Sequence, residues 1–419
     1  MKTLFQAFKI PETRKKILII LGLLAVFRLF AAIPIPGINV EQLRNFLAGN
    51  QFFGFLNLFA GGGLDNLSIM MLGVGPYITA TIVMQLLTMI FPNLKELYYE
   101  QGAIGRAKFN RISRWLTVPF AALQGYGLLN LFQSQGLIGP FSSAQIFQNV
   151  LIVTAGSVLL MWIGELMSEQ KIGSGISLII FAGIVAQLPS AIQTAFFSYN
   201  EDLLISYLVF AAVAVAIIAG VVFVTEGERK IPVVYSKRVR GNKVYGGAST
   251  YLPLKVNQAG VIPIIFAISI LLFPQFLAQI LTAFSSGFAV KLQGILAAFT
   301  ANHLAYGLTY FVLVAVFTYF YTAITFNPEE LSKNLQHSGG FIPGIRPGKP
   351  TERYLKSTTG KITLFGAVFL GLIAVLPIIT QAFTNTNTLS IGGTALLIVV
   401  SVALETYRQI ESQVSIREY

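Results

Sequence analysis

Residues Leu203–Val224 read LLISYLVFAAVAVAIIAGVVFV, twenty-two positions without a charge. A bilayer's hydrocarbon core is about 30 Å thick and a helix rises about 1.5 Å per residue, so about 20 apolar residues cross it. Only helices and closed barrels satisfy their backbone in lipid. The run lacks the polar alternation of a barrel strand, so it reads as a membrane-spanning helix. Charge returns at once in Thr225–Lys230, TEGERK.

Nine further apolar segments extend outward from it: Ile17–Pro36, Ile69–Phe91, Ile112–Phe132, Ile146–Met167, Gly175–Ile192, Ala259–Leu281, Leu304–Ile324, Ile362–Gln381 and Ile391–Thr406. The first has the look of a signal peptide, but no convincing cleavage site follows, and a retained helix is expected. The composition agrees. Of 419 residues, 54% are hydrophobic and only 11% charged, against about 25% charged in soluble domains. With no cysteine, disulfides, thiol catalysis and thiolate-ligated metals are excluded. His303 and His337 are too far apart for a His-rich metal site.

The net charge of +12 is informative through its placement. Twenty-six of the 29 Lys and Arg fall in the N-terminus, the even-numbered connections with the adjoining helix ends, and the C-terminal tail. The odd connections hold only Arg44 and Lys291, and Arg28 lies inside the first segment. The positive-inside rule then places both termini in the cytoplasm and supports ten spans, since one missed span would scramble the alternation. Five spans per half is odd, so any repeat of the halves must be inverted. The expected fold is an all-α polytopic membrane protein, its halves at 1–200 and 201–419.

Three connections are irregular. Phe52–Ala60, FFGFLNLFA, is too short to cross and is followed by Gly61–Gly63, then by Asp65, Asn66 and Ser68, which suit a helix start. It reads either as a helix folded back into the protein or as an amphipathic helix on the outer face. The connections at about 226–258 and 326–361 are long and basic. In the first, Val-Val-Tyr and a later Gly-Asn suggest a hairpin. In the second, Gly and Pro punctuate turns around Arg346. Positive-inside topology alone accounts for their charge, but connections longer than about 15 residues are usually functional or disordered. A stiff basic protrusion suits an acidic partner, ribosomal RNA or an acidic protein surface.

Catalytic patterns are missing. The sequence has no nucleotide-binding GxxxxGK[ST], HExxH or GxSxG motif, and no paired carboxylates within the segments. Glu165 and Glu405 sit near cytoplasmic helix ends. Arg28 is placed to snorkel to the outer interface. The scarcity of midplane charge argues against an ion-coupled transporter without excluding one, because sodium sites use carbonyls.

Five blocks, in order, carry a resemblance over essentially the whole chain: Gly73–Leu87 (GVGPYITATIVMQLL), Ile176–Pro189 (ISLIIFAGIVAQLP), Tyr251–Ala267 (YLPLKVNQAGVIPIIFA), Gly339–Gly348 (GGFIPGIRPG) and Gly392–Val400 (GGTALLIVV). They resemble the SecY family, the central channel subunits of the Sec protein translocase. Glu228–Arg238, ERKIPVVYSKR, looks like its bacterial branch. Bacterial members often carry a longer basic tail than the one ending at Tyr419, which leaves a native short end and a truncated one as alternatives.

The resemblance implies a central pore between the two halves. It implies a plug at about 52–68, with Phe55, Leu56, Leu58, Phe59, Gly61, Gly62 and Leu64. It implies a pore ring of Ile78, Ile82, Ile180, Ile184, Ile265 and Ile398. Thr79, Gln124 and Asn257 match the lateral gate, and Lys237, Arg238, Arg240, Arg346 and Lys349 match the cytoplasmic partner-binding loops. On residues alone, such isoleucines read as packing or lipid contacts, and the three polar residues as bonded within their own helices. The implied activity is translocation of unfolded preproteins across the bacterial cytoplasmic membrane, opened by signal sequences, with lateral release into the lipid bilayer. The implied partners are SecE and SecG, the SecA motor ATPase and the ribosome, with no cofactor. A ten-span secondary transporter, which would bind a small solute at the midplane, is the alternative, and a scaffold without a pore is a second.

Overall fold

The computed structural model describes residues 8–35, 57, 60–64, 66–134, 136, 138, 141–197, 204–235, 238–240, 243–245, 249–284, 286–384 and 392–415. Each of the ten apolar segments carries a helix. The N-terminal helices are α1 (Pro11–Ala31), α2 (Gly75–Ile90), α3 (Pro92–Tyr99), α4 (Gly102–Ser134), α5 (Ser143–Glu169) and α6 (Gly175–Phe197). After α7 (Leu204–Glu226) come the strands β1 (Glu228–Tyr235), β2 (Arg238–Arg240), β3 (Lys243–Tyr245) and β4 (Ser249–Lys255). Next are α8 (Ile262–Phe284), α9 (Ser286–Ala301), α10 (His303–Thr325) and α11 (Pro328–His337). The short β5 (Gly340–Phe341), α12 (Lys349–Thr384) and α13 (Gly392–Ser415) complete the chain.

Hydropathy locates the helices but not their ends. The helix of the second segment starts at Gly75, because Ile69–Val74 is a run of turns and Gly73 has φ +58°. α4 starts ten residues before Ile112, and α12 starts at Lys349 rather than Ile362. A helix continues past its apolar stretch wherever water and polar side chains serve its backbone. Among the described residues, Ser143–Glu169, His303–His337 and Lys349–Leu376 are long and apolar enough to cross a membrane, and Gly75–Ile90 with Pro92–Tyr98 is a pair bent by 116°. Gly175–Pro189 and Ile262–Gln275 are shorter apolar helices. Pro189 and Pro274 lie inside α6 and α8, where the missing N–H interrupts the hydrogen-bond ladder. α5 is fixed at its start by a capping box, in which Gln145 N donates to Ser142 Oγ and Ser142 N to Gln145 Oε1.

Two seams join the early and late helices. On one side α8 packs against α2 and α4, and on the other α13 packs against α6 and α1. The second seam ends in polar stitches, in which Gln413 Nε2 donates to Lys171 O at 2.7 Å and Gln409 Oε1 accepts from Gly173 N; within the late half, Arg408 of α13 pairs with Glu226 of α7 at 2.6 Å.

The two basic connections are one body. β1 pairs with β4 in an antiparallel hairpin, and β5 from the other connection adds to its free edge through Val234–Phe341 and Tyr235–Gly340, giving the order β4-β1-β5. Ile231, Val233 and Leu254 of the sheet bury against Leu335, Ile342 and Leu355 of the later connection. β2 and β3 form the expected small hairpin, with Arg240 opposite Lys243.

Candidate pore and gate site

Six isoleucines from four helices belong to one extended buried cluster. Ile78 and Ile82 come from α2, Ile180 and Ile184 from α6, Ile265 from α8 and Ile398 from α13. None is more than 5% exposed. The i, i+4 spacing puts each pair on one helix face. Their side chains offer no hydrogen bond to water or ions.

Of the candidate plug residues, Phe55, Leu56, Leu58 and Phe59 lie outside the described residues, as does Asp65. Gly61, Gly62 and Leu64 belong to a compact turn beside the cluster. Gly62 N donates to Asn57 O, and Leu64 N to Asn57 Oδ1 at 3.1 Å. Leu64, Leu67, Met70 and Val74 are fully buried. Ser68 does not cap a helix. Its Oγ accepts from Met70 N at 3.2 Å, and the chain there pairs with Pro34 as an isolated bridge. Ile35 N donates to Leu67 O, and Ile69 N to Ile33 O, tying this stretch to the end of α1. Ala60, Leu64, Leu67 and Ser68 are buried, while most of Phe52–Ala60, on which the folded-back and interfacial readings differ, lies outside the described residues.

Arg28 has a definite partner. Instead of ending its reach at an interface, its guanidinium Nη1 donates to Gly61 O at 2.7 Å. An isolated cation among apolar residues is expensive unless it is bonded, and a carbonyl in a glycine turn is an acceptor that the turn itself leaves free.

The three candidate gate residues do not form one group. Gln124 Nε2 donates to Thr79 Oγ1 at 3.4 Å, joining α4 to α2, while Thr79 Oγ1 donates back to Gly75 O at 3.0 Å. Asn257 Nδ2 donates locally to Gly260 O at 3.2 Å, and its buried Oδ1 has no partner. Among the described residues, no hydrogen bond links Asn257 to Thr79 or Gln124. The α8 seam with α2 and α4 is instead held by apolar packing.

At the other end of the molecule, Arg346 and Lys349 are exposed on the turns that lead from β5 into α12. Arg346 O accepts from Thr351 Oγ1 at 2.9 Å, and Gly348 O from the buried Ser332 Oγ at 2.8 Å, so the tip is braced from both sides. Arg238 and Arg240 lie in β2, and Lys237 lies outside the described residues. The ion pair Arg114–Glu165, 3.0 Å, ties α4 to α5. Sequence reasoning missed α9, the seat of Gly61 and the strand β5. Only Arg28, as a lone charge in an apolar run, gave a signal for any of them.

A bundle of apolar helices with a buried glycine turn packed among them has the fold of protein-conducting channels. The fold matches that of solved channels. One is a SecY protein whose plug domain stabilizes the closed state of the translocation channel and maintains a membrane seal (TM-score 0.63, 20% identity, 95% of this chain and 91% of that one). Another is Sec61 in the canine ribosome–channel complex from the endoplasmic reticulum (TM-score 0.61, 18% identity, 96% and 92%). The SecY family profile covers residues 68–407. The protein translocase subunit SecY of Streptomyces galbus is 43% identical over 432 residues, 99% of this chain and 98% of its own. That of Thermus thermophilus is 43% identical over 429 residues, 100% and 97%. The chain belongs to the SecY family, a family of channels and not of enzymes.

Proposed function

We propose that this chain is the channel-forming subunit of a protein translocase, passing unfolded preproteins across the bacterial cytoplasmic membrane and releasing apolar segments sideways into lipid. The observation that supports this reading is the burial of Ile78, Ile82, Ile180, Ile184, Ile265 and Ile398 in one apolar cluster shared by four helices, with a buried glycine turn against one of them. The ring isoleucines form the constriction and residues 52–68 the plug. The halves 1–200 and 201–419 part along the seam of α8 with α2 and α4, so the pore opens toward lipid when a signal sequence intercalates. Interhelical polar bonds in membranes average only about 0.6 kcal/mol. A seam held by packing, with Thr79 and Gln124 both on its α2/α4 side, resists opening weakly.

The chain supplies a passive conduit, so the driving force comes from outside it. Arg346, Lys349 and the β2–β3 arginines form the face for a motor ATPase of the SecA kind and for the ribosome, with both termini on the same cytoplasmic side. SecE and SecG are the membrane partners. The long apolar helices and exposed apolar residues such as Leu29, Trp115, Phe223 and Leu304 support a lipid-facing perimeter.

Deleting Gly54–Asp65 tests the core of the proposal. The ten-helix frame should survive, and planar-bilayer currents of the reconstituted complex should rise well above the parent's. Currents no larger than the parent's would remove the plug from the mechanism.

A further inference from the structure

We propose that Arg28 and Gly183 form the seat of the glycine turn, and so position the plug in the closed channel; this rests on the plug reading of residues 52–68. The turn is pressed between α1 and α6 at backbone distance. Gly61 has φ +60°, and a Cβ placed on it would lie 2.5 Å from the Phe27 ring. A Cβ on Gly183 would lie 2.2 Å from Gly61 Cα and 2.6 Å from its carbonyl carbon, with backbone rather than a flexible side chain in the way. At Gly183 only a glycine lets the two backbones meet, and at Gly61 the left-handed φ favours glycine.

The same turn is gripped chemically. Arg28 Nη1 donates to Gly61 O, and a Cβ on Gly62 would lie 3.3 Å from that nitrogen and 3.4 Å from Gln187 Nε2. A guanidinium from α1 and an amide from α6 thus flank two successive left-handed glycines. Gly183 directly precedes the ring residue Ile184, so the seat and the constriction share one turn of α6. The seat is also separate from the second attachment, the backbone bonds of Leu67 and Ile69 to the end of α1. The turn can therefore leave its seat while residues 67–69 stay paired, which makes Arg28 and Gly183 the positioning residues for the first step of opening.

The chain has no cysteine, so a single Leu64→Cys reports cleanly on that step, Leu64 being fully buried. The full chain with its partner subunits is placed in proteoliposomes and treated with an impermeant maleimide from the face opposite the basic connections. Arg28→Leu should speed labelling at least about tenfold, the ratio expected for one lost charge-assisted hydrogen bond, and Gly183→Ala, whose Cβ would overlap the Gly61 backbone, should speed it as well. Arg28→Lys, which keeps a charged donor, should label at an intermediate rate. Val314→Cys, equally buried on α10 and outside the cluster that holds Leu64, should stay slow in every background. Unchanged labelling at Leu64→Cys, or an equal rise at Val314→Cys, would overturn the seat. The Gly54–Asp65 deletion separates the two claims. Leak in the deletion with unchanged labelling would refute the seat and keep the plug. Fast labelling without leak in the deletion would refute the plug and keep the seat.

Discussion

Replacing Ile398 with asparagine puts an amide into the aliphatic waist and should loosen the closed channel. Ile398 is 2% exposed and belongs to the same cluster as Ile180 and Ile184. Burying an isoleucine side chain stabilises by about 1.5–3 kcal/mol. An amide buried there without a partner costs about 1–3 kcal/mol more. Opening the waist admits water, which relieves both penalties, so they fall mainly on the closed state. Taking about 2.5 kcal/mol as the low end of their sum, the open-to-closed ratio rises by roughly 60-fold at about 1.4 kcal/mol per decade. The assay has two arms: ion current through reconstituted channels without substrate, and export of a preprotein with a defective signal sequence. Both should rise. Ile398→Leu, which conserves volume, costs less than about 1.5 kcal/mol and should change neither much. A lower level of Ile398→Asn protein, with unchanged signal stringency and no added leak, would place this residue outside the constriction and refute the reasoning.

Other perturbations test other parts. Arg346→Glu reverses the charge on an exposed, braced tip and should slow motor-driven translocation by about tenfold or more, as expected when one close attraction becomes a repulsion. The chain should still insert into the membrane, and wild-type rates in a reconstituted assay would count against a partner-binding role. Gly156→Ala drives a Cβ to within 2.1 Å of Ile69 O, so the turns before α2 must shift, at a cost of about 1–3 kcal/mol. A lower melting temperature of the solubilised complex is expected, and an unchanged one would mean the turns yield freely. Ser332→Ala removes the hydroxyl that donates to Gly348 O and leaves a less satisfied carbonyl, at about 1 kcal/mol. Faster proteolysis within 339–348 is the readout.

The helices were legible in the sequence because lipid imposes a length and a polarity that few other environments demand. Their ends were not, since α4 and α12 run on into water through residues such as Arg106 and Arg353, where hydropathy carries no helix signal. Ser68 illustrates a local rule overridden: it suits a helix start, but pairing with Pro34 holds it in a turn. The proposed ring positions come from the resemblance alone, because an isoleucine that faces a pore and one that faces lipid are the same letter in an apolar run. Arg28 stood out as a charge, yet its partner lies 33 residues away, and nothing local announces a contact of that range. α9 was read as connection because its sixteen residues are apolar but too few to span. The strand β5 escaped because two residues between glycines and prolines show no alternation.

The short strand β5 makes the two basic connections behave as a single handle. It welds a loop that emerges between α10 and α12 to a hairpin whose last strand runs directly toward α8. A load applied at Arg346 is therefore shared among the ends of α7, α8, α10 and α12 rather than spent bending one loop. α8 is also the helix that lines the seam against α2 and α4. A body that grips the tip has mechanical purchase on that seam from outside the bilayer, without entering the waist.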